Sequence, residues 1–165
     1  MSVKQDMLDH WLARHDGVIT RAQARDCGLS DDSIDRLIRS GAWCVHNHGV
    51  YFVANRPFTT DARIRCTVWG AGASAVLSGE AAAFWHNVIA DVPGVVDVTV
   101  PRRGRSRADG CRLRRRDVHP KDVVLRRGLR VTSLELTVLE ASVGRAHIMD
   151  RALQRVLCSV CCLLV

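Results

Sequence analysis

Short helices with clear start and stop signals fill the first 54 residues, and their close spacing leaves little choice of fold. A T-x-x-Q capping box at Thr20 and Gln23 predicts the start of one helix, and Gly28 predicts its end. Ser30, followed by two aspartates, predicts the N-cap of a further helix after a short turn. Gly41 ends that helix. The pattern predicts two short helices joined by a tight turn.

The segments on either side of this helix pair complete a recognisable order. An apolar stripe predicts a helix over residues 6–14, and residues 18–19 form a short extended piece. Two β-prone runs, residues 43–46 and 50–53, flank a turn that contains glycine and predict a hairpin. Helix, short strand, helix, turn, helix and hairpin is the order of a winged helix-turn-helix. In that fold the helix after the turn enters the DNA major groove and the hairpin is the wing.

The rest of the chain predicts a small sheet with helices. Apolar and polar residues alternate over 96–100, which predicts a half-buried strand, and a second hairpin is predicted around Gly128. Ser78 predicts the N-cap of one helix, and Thr132 with Glu135 predicts a capping box for another. We therefore expect an α+β fold in which a winged helix-turn-helix precedes a small mixed α+β domain, with limits at 1–54, 57–158 and an apolar, Cys-rich tail at 159–165.

The basic charge is concentrated in one stretch. Residues 101–130 contain 12 basic residues and three acidic ones, whereas the whole chain has a formal net charge of +7. A basic patch of this kind is typical of proteins that bind a polyanion, most often nucleic acid. A solubilising surface or a patch that faces an acidic protein partner would carry the same signal.

The helix predicted after the turn is the expected recognition helix. With Ile34, Leu37 and Ile38 facing inward, a rotation of 100° per residue leaves two aspartates and two arginines facing outward. These predict two i, i+4 ion pairs, Asp32 with Arg36 and Asp35 with Arg39. The predicted DNA contacts come from the helix-turn-helix, the wing and the basic stretch: Arg21, Arg25, Ser33, Arg36, Arg39, His46, His48, Arg102, Arg103, Arg105, Arg112 and Arg114.

The sequence shows none of the motifs that catalysis on phosphates requires. It contains neither G-x-x-x-x-G-K-[ST] nor G-x-G-x-x-G, and its three glutamates lack the clustered Asp and Lys of a metal nuclease. His46 and His48, expected on one face of the wing strand, lack a third metal ligand. We expect no catalysis, no metal and no cofactor. The seven cysteines are expected to be reduced, and without a signal sequence or a membrane span the chain is expected to be cytoplasmic.

Four segments together resemble a known family. "HDGVITRAQARDCGLSDDSIDRLIRSGAW…HGVYFV" resembles the N-terminal winged helix of the AbiEi antitoxins of type IV toxin–antitoxin (abortive infection) systems. "AVLSGEAAAFWHNV", "VDVTVPR" and "GLRVTSLELTVLEAS" look like segments that follow it in actinobacterial members. The resemblance implies a winged helix that binds double-stranded operator DNA and represses transcription. It also implies a following domain that opposes a nucleotidyltransferase-like toxin encoded nearby.

Many actinobacterial relatives continue into a domain that resembles very-short-patch-repair endonucleases. Here the Cys-rich tail is unlike the family's usual continuation, and it resembles the end of a truncated or frame-shifted gene product. Two alternatives to a repressor and antitoxin therefore stand: a remnant of a nuclease-bearing protein, and an interaction module that binds an acidic partner.

Overall fold

The computed structural model describes residues 3–103, 110–143, 148–150 and 154 of the chain. The protein folds into two compact units, which meet in the sequence between Ala73 and Ser74. The two units are described in turn.

The first unit combines a three-stranded antiparallel sheet, of order β1-β3-β2, with four helices. Its elements, in chain order, are α1 Val3–Arg14, β1 Val18–Thr20, α2 Arg21–Asp26, α3 Asp31–Arg39, β2 Trp43–Asn47, β3 Val50–Val53 and α4 Thr60–Ala71. Up to the end of β3 this is the predicted winged helix-turn-helix.

Local capping signals place the helix ends as the sequence predicts. The Thr20 hydroxyl accepts a hydrogen bond from the Gln23 N–H, and the Gln23 side chain accepts one from the Thr20 N–H. Gly28 has φ +89°, a left-handed conformation that ends α2 at little cost. The Ser30 hydroxyl accepts from the Ser33 N–H and starts α3. These three signals are confirmed.

Helix α4 packs on the winged-helix sheet. Its Ala62 and Cys66 join a buried cluster with Val18, Val50 and Phe52 of the strands. Its Arg65 is fully buried and donates two hydrogen bonds, of 3.1 and 2.8 Å, to Asp16 Oδ2. The predicted limits, 1–54 and 57–158, assigned this helix to the second domain. In the structure it belongs to the first unit.

The second unit is built on a five-stranded mixed sheet of order β6-β5-β4-β8-β7. The β4–β5 and β7–β8 pairs are antiparallel, whereas β4–β8 and β5–β6 are parallel. Its elements are β4 Val76–Ser78, α5 Gly79–Trp85, β5 Val96–Val100, β6 Cys111–Arg115, a 3-10 turn Pro120–Asp122, β7 Val123–Arg126, β8 Leu129–Thr132 and α6 Leu134–Ser142. The predicted α+β class and the hairpin around Gly128 are confirmed.

Three details of this unit differ from the sequence predictions. Strand β5 is buried along its whole length rather than half-buried, because it lies between β4 and β6 and its polar side chains have polar partners on those two strands. Ser133, rather than Thr132, caps α6, because the Thr132 hydroxyl bonds that of Thr137. Ser78 stands at the start of α5, but its hydroxyl accepts from Thr99 instead of capping the helix.

No helix in the described ranges is long and apolar enough to cross a membrane. The Cys-rich segment predicted as a tail, 159–165, lies outside the described residues.

Candidate nucleic-acid interface

Helix α3 presents the surface that a winged helix-turn-helix offers to DNA. Ile34 is fully buried, and Leu37 and Ile38 pack partly buried against the same core, as predicted. Arg36 and Arg39 lie on the exposed side of the helix. The orientation predicted from the sequence is therefore correct, and α3 offers two cations to solvent.

Two of the aspartates of α3 are paired with arginines of α2. Arg21 Nη1 donates to Asp31 at 2.9 Å, and Arg21 Nη2 donates to Asp35. Arg25 grips Asp31 with two parallel bonds, of 3.0 Å from Nε and 2.7 Å from Nη2. These bonds from Arg25 and Arg21 lower the pKa of the Asp31 carboxyl. Two of the three acidic charges on α3 thus belong to ion pairs with α2.

The two predicted pairs within α3, Asp32 with Arg36 and Asp35 with Arg39, do not form. Arg36 instead donates to the Ser33 hydroxyl at 3.3 Å, and the Arg39 Nε donates to the backbone oxygen of Asp35 at 3.3 Å. Asp35 is occupied by Arg21, which reaches it from the start of α2. Over the described residues, Arg36 and Arg39 make no ion pair, so both charges remain available to a ligand.

The wing carries two histidines in different settings. His46 lies on β2 and stacks on Phe58 with ring centroids 5.1 Å apart, and partial desolvation of its exposed ring lowers its pKa. The β2–β3 pairing shifts between Val45 and Asn47, so the strand ends before His48, which lies exposed in the turn. The prediction that both histidines share one face of the strand is wrong, because this irregularity breaks the alternation.

The basic stretch of the second unit is partly neutralised. Arg112 Nη1 lies 3.2 Å and Arg114 Nη2 3.7 Å from Asp97 Oδ1. Asp97 is almost fully buried, which raises the pKa of its carboxyl, while the two arginines act to lower it. Arg102 and Arg103 are exposed beyond the end of β5. Arg105, also predicted to contact DNA, lies outside the described residues.

A third arginine that forms an ion pair, Arg116, lies directly after strand β6. Arg116, two residues beyond Arg114, forms an ion pair with the nearly buried Glu140, whose other oxygen accepts the Gly79 N–H at 3.1 Å. Burial lowers the pKa of the Arg116 guanidinium. Two carboxylates therefore hold three alternate arginines, Arg112, Arg114 and Arg116, which we call the arginine ladder.

Sequence reasoning missed the residues that organise these charges. Asp97 was assigned to the outward face of a half-buried strand, and its pairing depends on the neighbours that the sheet order provides. Tyr51 looked like an ordinary β-strand aromatic, yet its hydroxyl accepts a hydrogen bond from Arg21 at 2.9 Å. The single carboxylate within the run VDVTV is a signal that could have pointed to Asp97. In the part of the chain that the structure describes, no group of three or more His, Cys, Asp or Glu side chains could hold a metal ion.

A helix-turn-helix joined to a three-stranded sheet with a hairpin wing defines the winged helix-turn-helix class of DNA-binding domains. Residues 6–54 match the model of a family described as "Transcriptional regulator, AbiEi antitoxin". The matched segment runs from α1 to the end of β3 and is similar to that family of regulators, as predicted from its sequence. No curated protein matches the chain. The resemblance of the later segments, within 75–142, stays a prediction.

Proposed function

We propose that this chain is a transcriptional repressor that binds double-stranded operator DNA and acts as the antitoxin of a type IV toxin–antitoxin system. The observation that supports it most is the α3 surface. A fold of the DNA-binding class exposes Arg36 and Arg39 there without ionic partners among the residues that the structure describes, while the α3 acids Asp31 and Asp35 are paired. The family similarity of residues 6–54 points to the same role.

In this proposal α3 enters the major groove. Arg36 and Arg39 reach guanine edges, for which a guanidinium is the usual partner, and the Ser33 hydroxyl bonds a base or a phosphate. Arg25 and the wing residues His46 and His48 lie along the backbone. Phosphate contacts hold the protein in register, and the contacts to bases supply sequence preference.

In this proposal the second unit adds affinity for DNA that does not depend on the base sequence. Arg102 and Arg103, which are exposed, would bind phosphates. Arg112 and Arg114 can add to this field only in part, because Asp97 offsets their charge. Arg105 is proposed as a phosphate contact from its place in the same basic stretch.

The proposal involves no catalysis, cofactor or metal, and it places the protein in the cytoplasm with the operator. Its protein partner is a nucleotidyltransferase-like toxin encoded by a neighbouring gene. Co-expression with that gene tests this part: the antitoxin should restore growth. If the toxin still arrests growth when the full chain is co-expressed, the antitoxin role is refuted. The repressor role would not be affected by that result.

The first test of DNA binding is its dependence on salt. Affinity for a duplex that covers the promoter of its own operon should fall steeply, with log K dropping by about 0.9 per tenfold change in salt for each phosphate contact. A titration at four salt concentrations, with a scrambled duplex in parallel, measures both the slope and the preference. Lack of binding at the lowest salt would refute the proposal.

The second test separates base contacts from phosphate contacts. Arg36→Ala or Arg39→Ala should reduce the preference for operator over scrambled duplex by about 1–3 kcal/mol. Arg102→Ala and Arg103→Ala, the matched arginine controls in the second unit, should weaken both duplexes alike. If the two sets behave equally, α3 is not the recognition helix.

A further inference from the structure

One side chain ties together the three elements of the DNA-binding face. Arg21 is the first residue of α2. Its Nε donates to the Tyr51 hydroxyl on β3 at 2.9 Å, its Nη1 donates to Asp31 at 2.9 Å, and its Nη2 donates to Asp35. The start of α2, the wing strand and the recognition helix thus meet at a single guanidinium.

The two carboxylates lie on the same side of α3. Asp31 and Asp35 are four residues apart, which places them one above the other on a helix. Each of the three guanidinium nitrogens points to a different partner, a fixed fork that a lysine ammonium cannot reproduce. The bond to Asp35, followed by those to Tyr51 and Asp31, raises the pKa of Arg21, so the charge stays in place.

The Tyr51 end of this link is anchored in the core. The Tyr51 side chain is 4% exposed, and its ring lies 5.8 Å from that of Trp43. A phenol held in this way cannot follow a moving helix. The hydrogen bond from Arg21 therefore connects α3 to a buried residue of the sheet.

We propose that Arg21 is a positioning residue for base recognition, not a phosphate contact as its place in the helix-turn-helix suggests. It fixes the angle of α3 against α2 and β3 through its bonds to Asp31, Asp35 and Tyr51. Recognition groups must be held within about 0.5 Å of their working positions, and second-layer bonds of this kind hold them. The inference rests on the proposed function, since it concerns how α3 meets DNA.

The two roles for Arg21 differ in what salt reveals. A phosphate contact adds to the release of counterions, so its loss lowers the salt slope by about 0.9 and weakens all duplexes alike. A positioning residue that is already paired with Asp31 and Asp35 releases few counterions. Its loss leaves the slope unchanged and reduces the preference for the operator.

The experiment compares Arg21→Gln, Tyr51→Phe and the wild type on operator and scrambled duplexes at several salt concentrations. We expect Arg21→Gln to lower the operator preference about tenfold with an unchanged slope. Tyr51→Phe, which removes only a buried hydroxyl, should lower it in the same direction and less. Arg103→Gln is the matched control, and it should reduce the slope and leave the preference intact.

Circular dichroism and a urea titration establish that each variant is folded at the assay temperature. The variant Tyr51→Phe keeps the inference testable if Arg21→Gln does not fold. A slope lowered by about 0.9 in Arg21→Gln, with equal loss on both duplexes, would overturn the positioning role alone. Failure of the wild type to bind any duplex would overturn the proposed function and this inference together.

Discussion

The acidic residues of the two units are paired with arginine in two different environments. On α3 the side chains of Asp31 and Asp35 are about half exposed, at 49% and 50%, and their partners lie on the neighbouring helix. In the second unit Asp97 and Glu140 are 2% and 6% exposed and hold the arginine ladder. The ionic partners are of the same kind, and only access to water differs.

Exposed and buried ion pairs are expected to contribute differently to the stability of the fold. An exposed pair contributes little to stability, because water and salt screen it and two flexible side chains must be ordered. A buried carboxylate has already lost its hydration, so loss of its partner, or its own removal, leaves a charge or a donor unsatisfied. The α3 pairs are therefore expected to add little to the free energy of unfolding, whereas the ladder pairs are expected to be part of the folded core.

The largest effect should follow the loss of Glu140. Glu140→Ala removes the partner of Arg116 and the acceptor of the Gly79 N–H, so we expect the free energy of unfolding to fall by about 3 kcal/mol. Urea denaturation measures it. Glu135→Ala on the exposed side of the same helix is the control, with an expected loss below about 1 kcal/mol. Equal losses would mean that the ladder pair is no stronger than a surface contact.

A pair of glycine substitutions tests how tightly the ladder site is packed. Gly79 and Gly41 both have left-handed backbones, at φ +58° and +74°. A Cβ on Gly79 would lie 3.0 Å from Asp97 Cγ and Oδ2, whereas one on Gly41 meets nothing within 4 Å. Gly41→Ala should cost about 1 kcal/mol for the backbone alone, and Gly79→Ala about 2 kcal/mol because Asp97 must also shift. A smaller loss at Gly79 than at Gly41 would contradict this packing.

The effect of pH should have opposite signs in the two regions. Burial raises the pKa of Asp97, so its contribution to stability is present below its unfolded value of 3.8 and is lost as the pH rises through the folded pKa. Arg25 and Arg21 lower the pKa of Asp31, so its contribution is present above its unfolded value and is lost as the pH falls.

Measurements of unfolding at pH 3, 5 and 7 can resolve this contrast. As the pH rises from 3 to 7, the free energy of unfolding of Asp97→Asn should increase relative to that of the wild type. The free energy of unfolding of Asp31→Asn should decrease relative to that of the wild type. Parallel curves for the two variants would show that burial does not distinguish these carboxyls.

The smallest effect is expected for the exposed pair between Arg25 and Asp31. A double-mutant cycle with Arg25→Ala and Asp31→Ala should give the weakest coupling energy of the pairs compared, and 1 M salt should reduce it further. The same cycle applied to Arg116 and Glu140 should retain most of its coupling in salt. If the coupling between Arg25 and Asp31 resists salt, this exposed pair stabilises the fold as the buried pairs are expected to do.

The elements that the sequence predicted correctly depend on short-range contacts. The capping bonds of Thr20 and Ser30 reach only three residues ahead, so the sequence contains both partners. The predicted pair of Asp35 with Arg39 was wrong because Arg21, 14 residues from Asp35 in the sequence, occupies the Asp35 carboxylate. Arg21 can compete with Arg39 for Asp35 only after the fold has brought α2 next to α3.

The same limit explains the second unit. The periodicity of the sequence does not predict the sheet order β6-β5-β4-β8-β7. Because this order places β5 between two other strands, β5 is buried on both faces although its residues alternate between apolar and polar. Asp97 therefore looked like a solvent-facing residue. In the structure it is the centre of a charged cluster.

The packing of α4 bears on how this protein can be divided. Similarity to the regulator family ends at residue 54, but the side chains of Val18, Val50 and Phe52 are covered by α4, which begins at Thr60. A fragment that stops at the end of the similarity would expose this apolar face and leave Asp16 without the buried Arg65. Fragments for binding studies should extend to residue 73, because α4 covers apolar side chains of the segment that matches the family model.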